Sequence, residues 1–242
     1  MFIRPRNKLN KTIICVIFVL VLSMVFAGCV PQSKTSHNDR PAGESKNVSA
    51  VDALRLLEDG NARFVSAGTT TKDIGEAKRA DLSVEGQFPV AVIVSCSDSR
   101  VPPMLIFDQG LGDLFEIRVA GNVIDPLSLG SVEYAAEHLE CQLVVVMGHE
   151  KCGAVKATLE GGEAPGSIGS IVEKIKPAVE KVKASGIADD QVYEKSIDEN
   201  IKNTITEIEN SPVIEEFVAN GKLKIVGAKY DLDTGKVELL SE

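Results

Sequence analysis

The stretch Val90-Ala91-Val92-Ile93-Val94-Ser95-Cys96-Ser97-Asp98-Ser99-Arg100 runs from an unbroken apolar segment into a thiol, a carboxylate and a guanidinium. A short continuous apolar run reads as a strand buried on both faces, as in parallel sheets covered by helices on either side. Similar runs recur at 114–119, 143–147 and 223–226, and helical patterns separate them at 129–139, 154–159, 168–183 and 192–208. Strands alternating with helices predict an α/β fold with a mostly parallel central sheet and flanking helices. The stretch from Tyr230 to Val237 turns back at Asp233-Thr234-Gly235, which predicts an antiparallel C-terminal edge strand.

The helical patterns carry their own signals. Ser49-Ala50-Val51-Asp52 resembles a capping box, and Leu54, Leu57, Phe64 and Val65 follow at roughly helical spacing. Gly60 interrupts that pattern, so the helix is expected to rely on packing. A second, polar helix is expected around 73–83, and Pro177 places a bend in the amphipathic 168–183 segment. The Gly-rich stretch 161–166 is read as a loop and not a phosphate cradle, because no Lys-Ser/Thr follows it.

The N-terminus is organised differently. Arg4, Arg6, Lys8 and Lys11 precede an almost wholly apolar run that ends in Phe26-Ala27-Gly28-Cys29. A basic start, an apolar middle and small residues before a cut site read as a secretory signal. The pair Ala27-Gly28 before Cys29 resembles a bacterial lipoprotein signal, with Cys29 as the lipidated first residue of the mature chain. An uncleaved membrane anchor is the alternative, since such a run approaches the ~17–25 residues needed to span. Either way the body is expected outside the cytoplasm, and a lipid on Cys29 would anchor it to a bacterial membrane. The expected organisation is a signal segment at 1–28, a polar disordered tether at 29–48 holding His37, and a single domain at 49–242.

Removing residues 1–28 takes away four positive charges and moves the formal net charge from −9 to −13. So acidic a body excludes nucleic acid as a partner, because phosphates need Lys and Arg to meet them. Of the five cysteines, Cys96, Cys141 and Cys152 lie in the body. In an exported chain, a Cys96–Cys152 disulfide competes with metal binding.

A second stretch, Gly148-His149-Glu150-Lys151-Cys152-Gly153, follows another apolar strand and leads into a helix. In open parallel sheets, sites gather outside the carboxyl ends of the strands. Cys96 and His149 occupy such ends, and Cys152 falls at a helix N-terminus, where the dipole favours a thiolate. Two thiolates and an imidazole suit zinc. Three protein ligands leave a fourth position to water or to the Asp98 carboxylate, and an open position predicts catalysis by a hydroxide generated on zinc. In that setting Asp98 orients the nucleophile, and Arg100 keeps Asp98 ionised and off the metal. His138 and Cys141 are expected to pack rather than react. With His149 committed and His37 in the tether, no histidine is assured as a proton relay, so turnover is expected to need external buffer.

These residues resemble the β-class carbonic anhydrases over roughly residues 50–240. The motifs Cys96-Ser97-Asp98-Ser99-Arg100 and His149-Glu150-Lys151-Cys152-Gly153 carry the resemblance, supported by 106–115 (IFDQGLGDLF) and Arg118-Val119-Ala120-Gly121-Asn122. The resemblance implies Zn2+ on Cys96, His149 and Cys152, with Asp98 and Arg100 as a catalytic dyad. It implies that Gln87 hydrogen-bonds bicarbonate and that Phe115 and Tyr134 line the substrate pocket at a dimer interface. The set looks like the open, plant-like subgroup, in which water holds the fourth zinc position. A homodimer or homotetramer is implied, with the N-terminal helix lying on its partner. The expected activity is reversible hydration of carbon dioxide to bicarbonate and a proton. A hydrolase of carbon disulfide or carbonyl sulfide on the same scaffold, or a non-catalytic module binding zinc and bicarbonate, stays open beside it.

Overall fold

The structure, a computed structural model, describes residues 48–240. The expected signal segment, Cys29 and the tether up to residue 47, with Cys15 and His37, lie outside the described residues. Among the described residues the chain runs through α1 (Ala50–Val65), α2 (Glu76–Glu85), β1 (Ala91–Ser95), α3 (Pro103–Ile106) and β2 (Leu114–Arg118). It continues through a 3-10 turn (Ala120–Asn122), α4 (Pro126–Glu137), β3 (Leu143–His149), α5 (Gly153–Glu160), α6 (Ile168–Ala184), α7 (Asp189–Glu209), α8 (Pro212–Ala219), β4 (Lys224–Tyr230) and β5 (Val237–Leu239).

The sheet order is β2-β1-β3-β4-β5. The first four strands pair in parallel, and β5 returns antiparallel to β4. Between them, Gly235 takes a left-handed φ of 75°, and the Asp231 carboxylate accepts from the amides of Asp233 and Thr234. That is the turn chemistry expected of an Asp-x-Asp-Thr-Gly stretch.

Burial on two faces explains the two central strands. Val92, Val94, Val144 and Val146 point into one core, while Ala91, Ile93, Leu143, Val145 and Met147 point into the other. Alternate side chains of one strand serve opposite cores, so β1 and β3 have no polar face to show. The reading of 114–119 and 223–226 as buried on both faces does not hold. β2 is an edge strand in which Ile117 alone is buried, and β4 is buried mainly at Gly227, Ala228 and Tyr230. An edge has one flank open, and apolarity along the chain does not report strand order.

α1 begins as its cap predicts: Ser49 Oγ accepts from the Asp52 amide at 3.1 Å. It packs Ala53 and Leu57 onto the chain's own sheet. Gly60 lets this helix dock, in line with its expected reliance on packing, since a Cβ there would lie 1.8 Å from the Phe107 carbonyl oxygen. Buried Asp108 ties the same region together, accepting from Arg63 Nε at 2.6 Å and pairing with Lys72 at 2.8 Å. The 168–183 segment continues as one helix through Pro177 and buries Ile175, Ala178, Val179 and Val182. α3 has only four residues, too few for a periodic signal, and α8 lies outside the helical patterns read from the sequence.

Candidate metal centre

Parallel register brings the site together. Ser95 ends β1 opposite Met147 of β3 and Arg118 of β2, so Cys96 leaves the sheet beside the last two residues of β3. His149 is the final residue of β3, and Cys152 is the N-cap of α5. Gly148 lets β3 approach α7, because a Cβ there would come within 2.6 Å of Ile201 Cδ1. Lys151 turns the chain with a left-handed φ of 53°.

Cys96, His149 and Cys152 are 5%, 0% and 1% exposed, and their ligand atoms all lie within 4.8 Å of one another. The two thiols are free, so the disulfide alternative is not formed. His149 Nδ1 lies 2.7 Å from the Glu150 carbonyl, to which it donates, and that leaves Nε2 as the nitrogen with a lone pair. Nε2 is buried and has no hydrogen-bond partner. An orphaned buried imidazole nitrogen between two sulfurs fits a cation with tetrahedral S and N preferences. The Cys152 thiol and the Gly121 N–H push the Cys96 thiol below its ordinary pKa, against burial, which raises it. The Cys96 thiolate and burial push Cys152 up.

Asp98 sits beside this set, its Oδ2 3.9 Å from His149 Nε2. Arg100 grips it with both ends of its fork, Nε to Oδ1 at 3.0 Å and Nη2 to Oδ2 at 2.7 Å, and adds its own amide to Oδ1 at 2.9 Å. Those bonds hold the carboxyl pKa down to about 2. Arg100 Nη2 also lies 3.4 Å from the Lys151 carbonyl, which links the two motifs. Arg118 clamps the same loop from β2, with Nε to the Cys96 carbonyl at 3.1 Å and Nη2 to the Asp98 carbonyl at 2.7 Å.

The other expected site residues lie elsewhere on the chain. Gln87 is exposed and lines an open groove of roughly 800 Å³ with Phe88, Leu111, Tyr134 and His138. Phe115 stands against Tyr134, ring centroids 6.4 Å apart. Neither Asp98 nor any of the three metal-type ligands lines that groove. His138, expected to pack, is instead a groove residue with a 59% exposed side chain, 5.1 Å from the Tyr134 ring. Cys141 is packing, as expected: it is 3% exposed, and burial raises its pKa to about 11.

Several contacts escaped the sequence reading. Arg118 and Gly121 appeared only within a family-like segment, and Tyr193, Asn200 and Thr204 on α7 did not appear at all. A signal existed for part of this. Ser196, Asn200 and Thr204 recur every four residues among Val192, Ile197, Ile201 and Ile208, which places polar groups on the buried face of α7.

A mostly parallel sheet with a buried Cys-His-Cys set at its strand ends offers a metal ion three ligands where α/β folds carry their sites. The sequence profile described as "Carbonic anhydrase" matches residues 91–237. A carbonic anhydrase of Mycolicibacterium smegmatis is 42% identical over 200 residues, covering 81% of this chain and 95% of its own. The β-carbonic anhydrase CafA of Aspergillus fumigatus superposes with a TM-score of 0.63 at 27% identity, over 78% of this chain and 89% of its own. A β-carbonic anhydrase of Sordaria macrospora, described as tetrameric, gives 0.61 at 25% identity, over 69% and 89%. The chain belongs to the carbonic anhydrase family, in its β class.

Proposed function

We propose that this chain is a zinc carbonic anhydrase that interconverts carbon dioxide and water with bicarbonate and one proton. The observation that carries the reading is the buried, unpartnered Nε2 of His149 between two free thiols, beside a carboxylate held by a guanidinium. Cys96, Cys152 and His149 Nε2 would hold the ion, which when bound supplies the Lewis acidity that makes water a nucleophile near neutral pH. Asp98 accepts a hydrogen bond from that water and aims its lone pair at carbon. Arg100 keeps Asp98 ionised and, by occupying both carboxylate oxygens, keeps it off the ion.

Gln87 donates its amide to a bicarbonate oxygen, and Phe115 and Tyr134 give the small apolar substrate an aromatic wall. Because their groove excludes the Cys-His-Cys set, the groove of one copy faces the metal centre of another in a homodimer or homotetramer. The tetramer described for the Sordaria relative supports this arrangement. Cys29 carries a lipid that anchors the domain outside a bacterial cytoplasm. Radiolabelled palmitate should mark the wild type and not Cys29→Ser, and an unlabelled wild-type chain would overturn the lipid anchor.

Stopped-flow CO2 hydration by zinc-quantified protein comprising residues 33–242, run beside Asp98→Ala, tests the catalytic reading. Rapid hydration at about one zinc per chain, lost in the variant, is expected. Stoichiometric zinc with no hydration from about pH 7 to 9 would overturn it and leave the sulfur analogues as substrates.

A further inference from the structure

α7 passes behind the metal centre, and three of its polar side chains bond out of the helix toward it. Tyr193 Oη donates to the Cys152 carbonyl at 2.9 Å. Asn200, 2% exposed, donates Nδ2 to the Gly121 carbonyl at 2.8 Å, and Thr204, 3% exposed, donates Oγ1 to the Asn122 carbonyl at 3.2 Å. The two residues gripped by Asn200 and Thr204 form an unusual turn. Gly121 and Asn122 are both left-handed, with φ of 72° and 48°. Gly and Asn are the residues that enter this region most readily, and the bonds from α7 fix the turn in place. The turn also fits tightly, since a Cβ on Gly121 would lie 2.6 Å from Ile175 Cδ1.

What this turn presents to the centre is one N–H. The Gly121 amide donates to Cys96 Sγ at 3.2 Å. A hydrogen bond to a thiolate withdraws electron density from sulfur, so its geometry sets how strongly that sulfur donates to a cation. Gly121 is therefore held on both sides, its N–H on a ligand sulfur and its C=O on Asn200.

We propose that Asn200 is a positioning residue: through Gly121 it fixes the hydrogen bond received by the Cys96 sulfur and so tunes that ligand toward its metal. The proposal rests on Cys96 being a zinc ligand. A buried side-chain amide must find a partner to be tolerated. That requirement alone would also be met by a purely structural Asn200, so the test must read the ligand itself.

The cobalt(II)-substituted full-length protein provides that reading through its thiolate-to-metal charge-transfer band. Zinc affinity by chelator competition and the thermal midpoint are measured alongside. Asn200→Ala should move the band to lower energy, as the sulfur regains electron density, and the less firmly positioned ligand should bind zinc about tenfold more weakly. Thr204→Val should shift the band the same way by less. Ser196→Ala is the control, being buried one turn away with its hydroxyl bonded to Val192 of its own helix at 2.7 Å. It should lower the midpoint and leave the band in place. An unchanged band in Asn200→Ala, whatever its midpoint, overturns the proposal. If Asn200→Ala does not fold, an unchanged band in Thr204→Val does the same. Wild-type protein showing no thiolate band at all would remove the metal reading itself, and this inference with it.

Discussion

Cys96, His149 and Cys152 are at most 5% exposed, whereas in the groove Tyr134 is 46% exposed and the His138 side chain 59%. The first region is held by backbone: two strand ends, a helix N-cap, and carbonyls clamped by Arg118, Arg100 and Tyr193. The second is a set of side chains on a loop and on the outer face of α4, with open space in front of them. The difference teaches that the fold encloses the Cys-His-Cys set from within one chain and leaves the groove of Gln87 and Tyr134 open. On the proposed reading, each chain contributes to two sites and completes neither.

Breaking the enclosed region should have the larger consequences. His149→Ala removes the only nitrogen of the set, so zinc content should fall from about one per chain toward none and hydration to background. Metal analysis and stopped-flow rates check both together. Asp98→Ala leaves the three ligands in place and should keep its zinc while losing about 10³-fold in kcat/KM. Loss of zinc in that variant would mean that Asp98 is itself a ligand.

The groove should respond more gently. Gln87→Ala removes one hydrogen-bond donor and should cost about 10²-fold with zinc unchanged. Co-expressing Asp98→Ala with Gln87→Ala then tests the comparison directly. If centre and groove meet between chains, mixed dimers regain one intact site and about a quarter of the sites should recover. No recovery would mean that each chain serves itself.

The smallest effect concerns the frame around both regions. Burial alone would raise the Asp108 pKa, but hydrogen bonds from Lys72, Arg63 and Thr70 win and lower it below its ordinary value of 3.8. A depressed carboxyl stabilises the fold fully above its unfolded pKa and loses that contribution as pH falls through the folded one. The thermal midpoints of wild type and Asp108→Asn should therefore converge below about pH 3.8, while above it their separation stays constant. Separation that persists into stronger acid would remove the carboxylate from the account.

Much of the centre was legible because its residues are adjacent in sequence to the features that place them. Cys96 follows a run of apolar residues, and His149 and Cys152 flank a strand end and a helix start, so motif and element are read together. The groove was legible only by resemblance, since Gln87 and Tyr134 sit on different elements and nothing local ties them. His138 was misread for a related reason: its exposure is decided by what stands in front of α4. Gly60 signalled a helix that relies on packing, but helix propensity does not name the Phe107 carbonyl that needs its missing Cβ.

By itself the sequence determined the alternation of strands and helices, the three metal-type ligands and the Asp-Arg pair, because these depend on periodicity and short spacings. Tertiary structure alone decided that β2 is an edge and that the groove stands apart from the centre. It also decided that Asn200 and Thr204, some eighty residues down the chain, hold the turn whose N–H meets Cys96. Strand order, exposure and hydrogen bonds between distant residues arise from packing, and packing leaves only a faint periodic trace in the order of the residues.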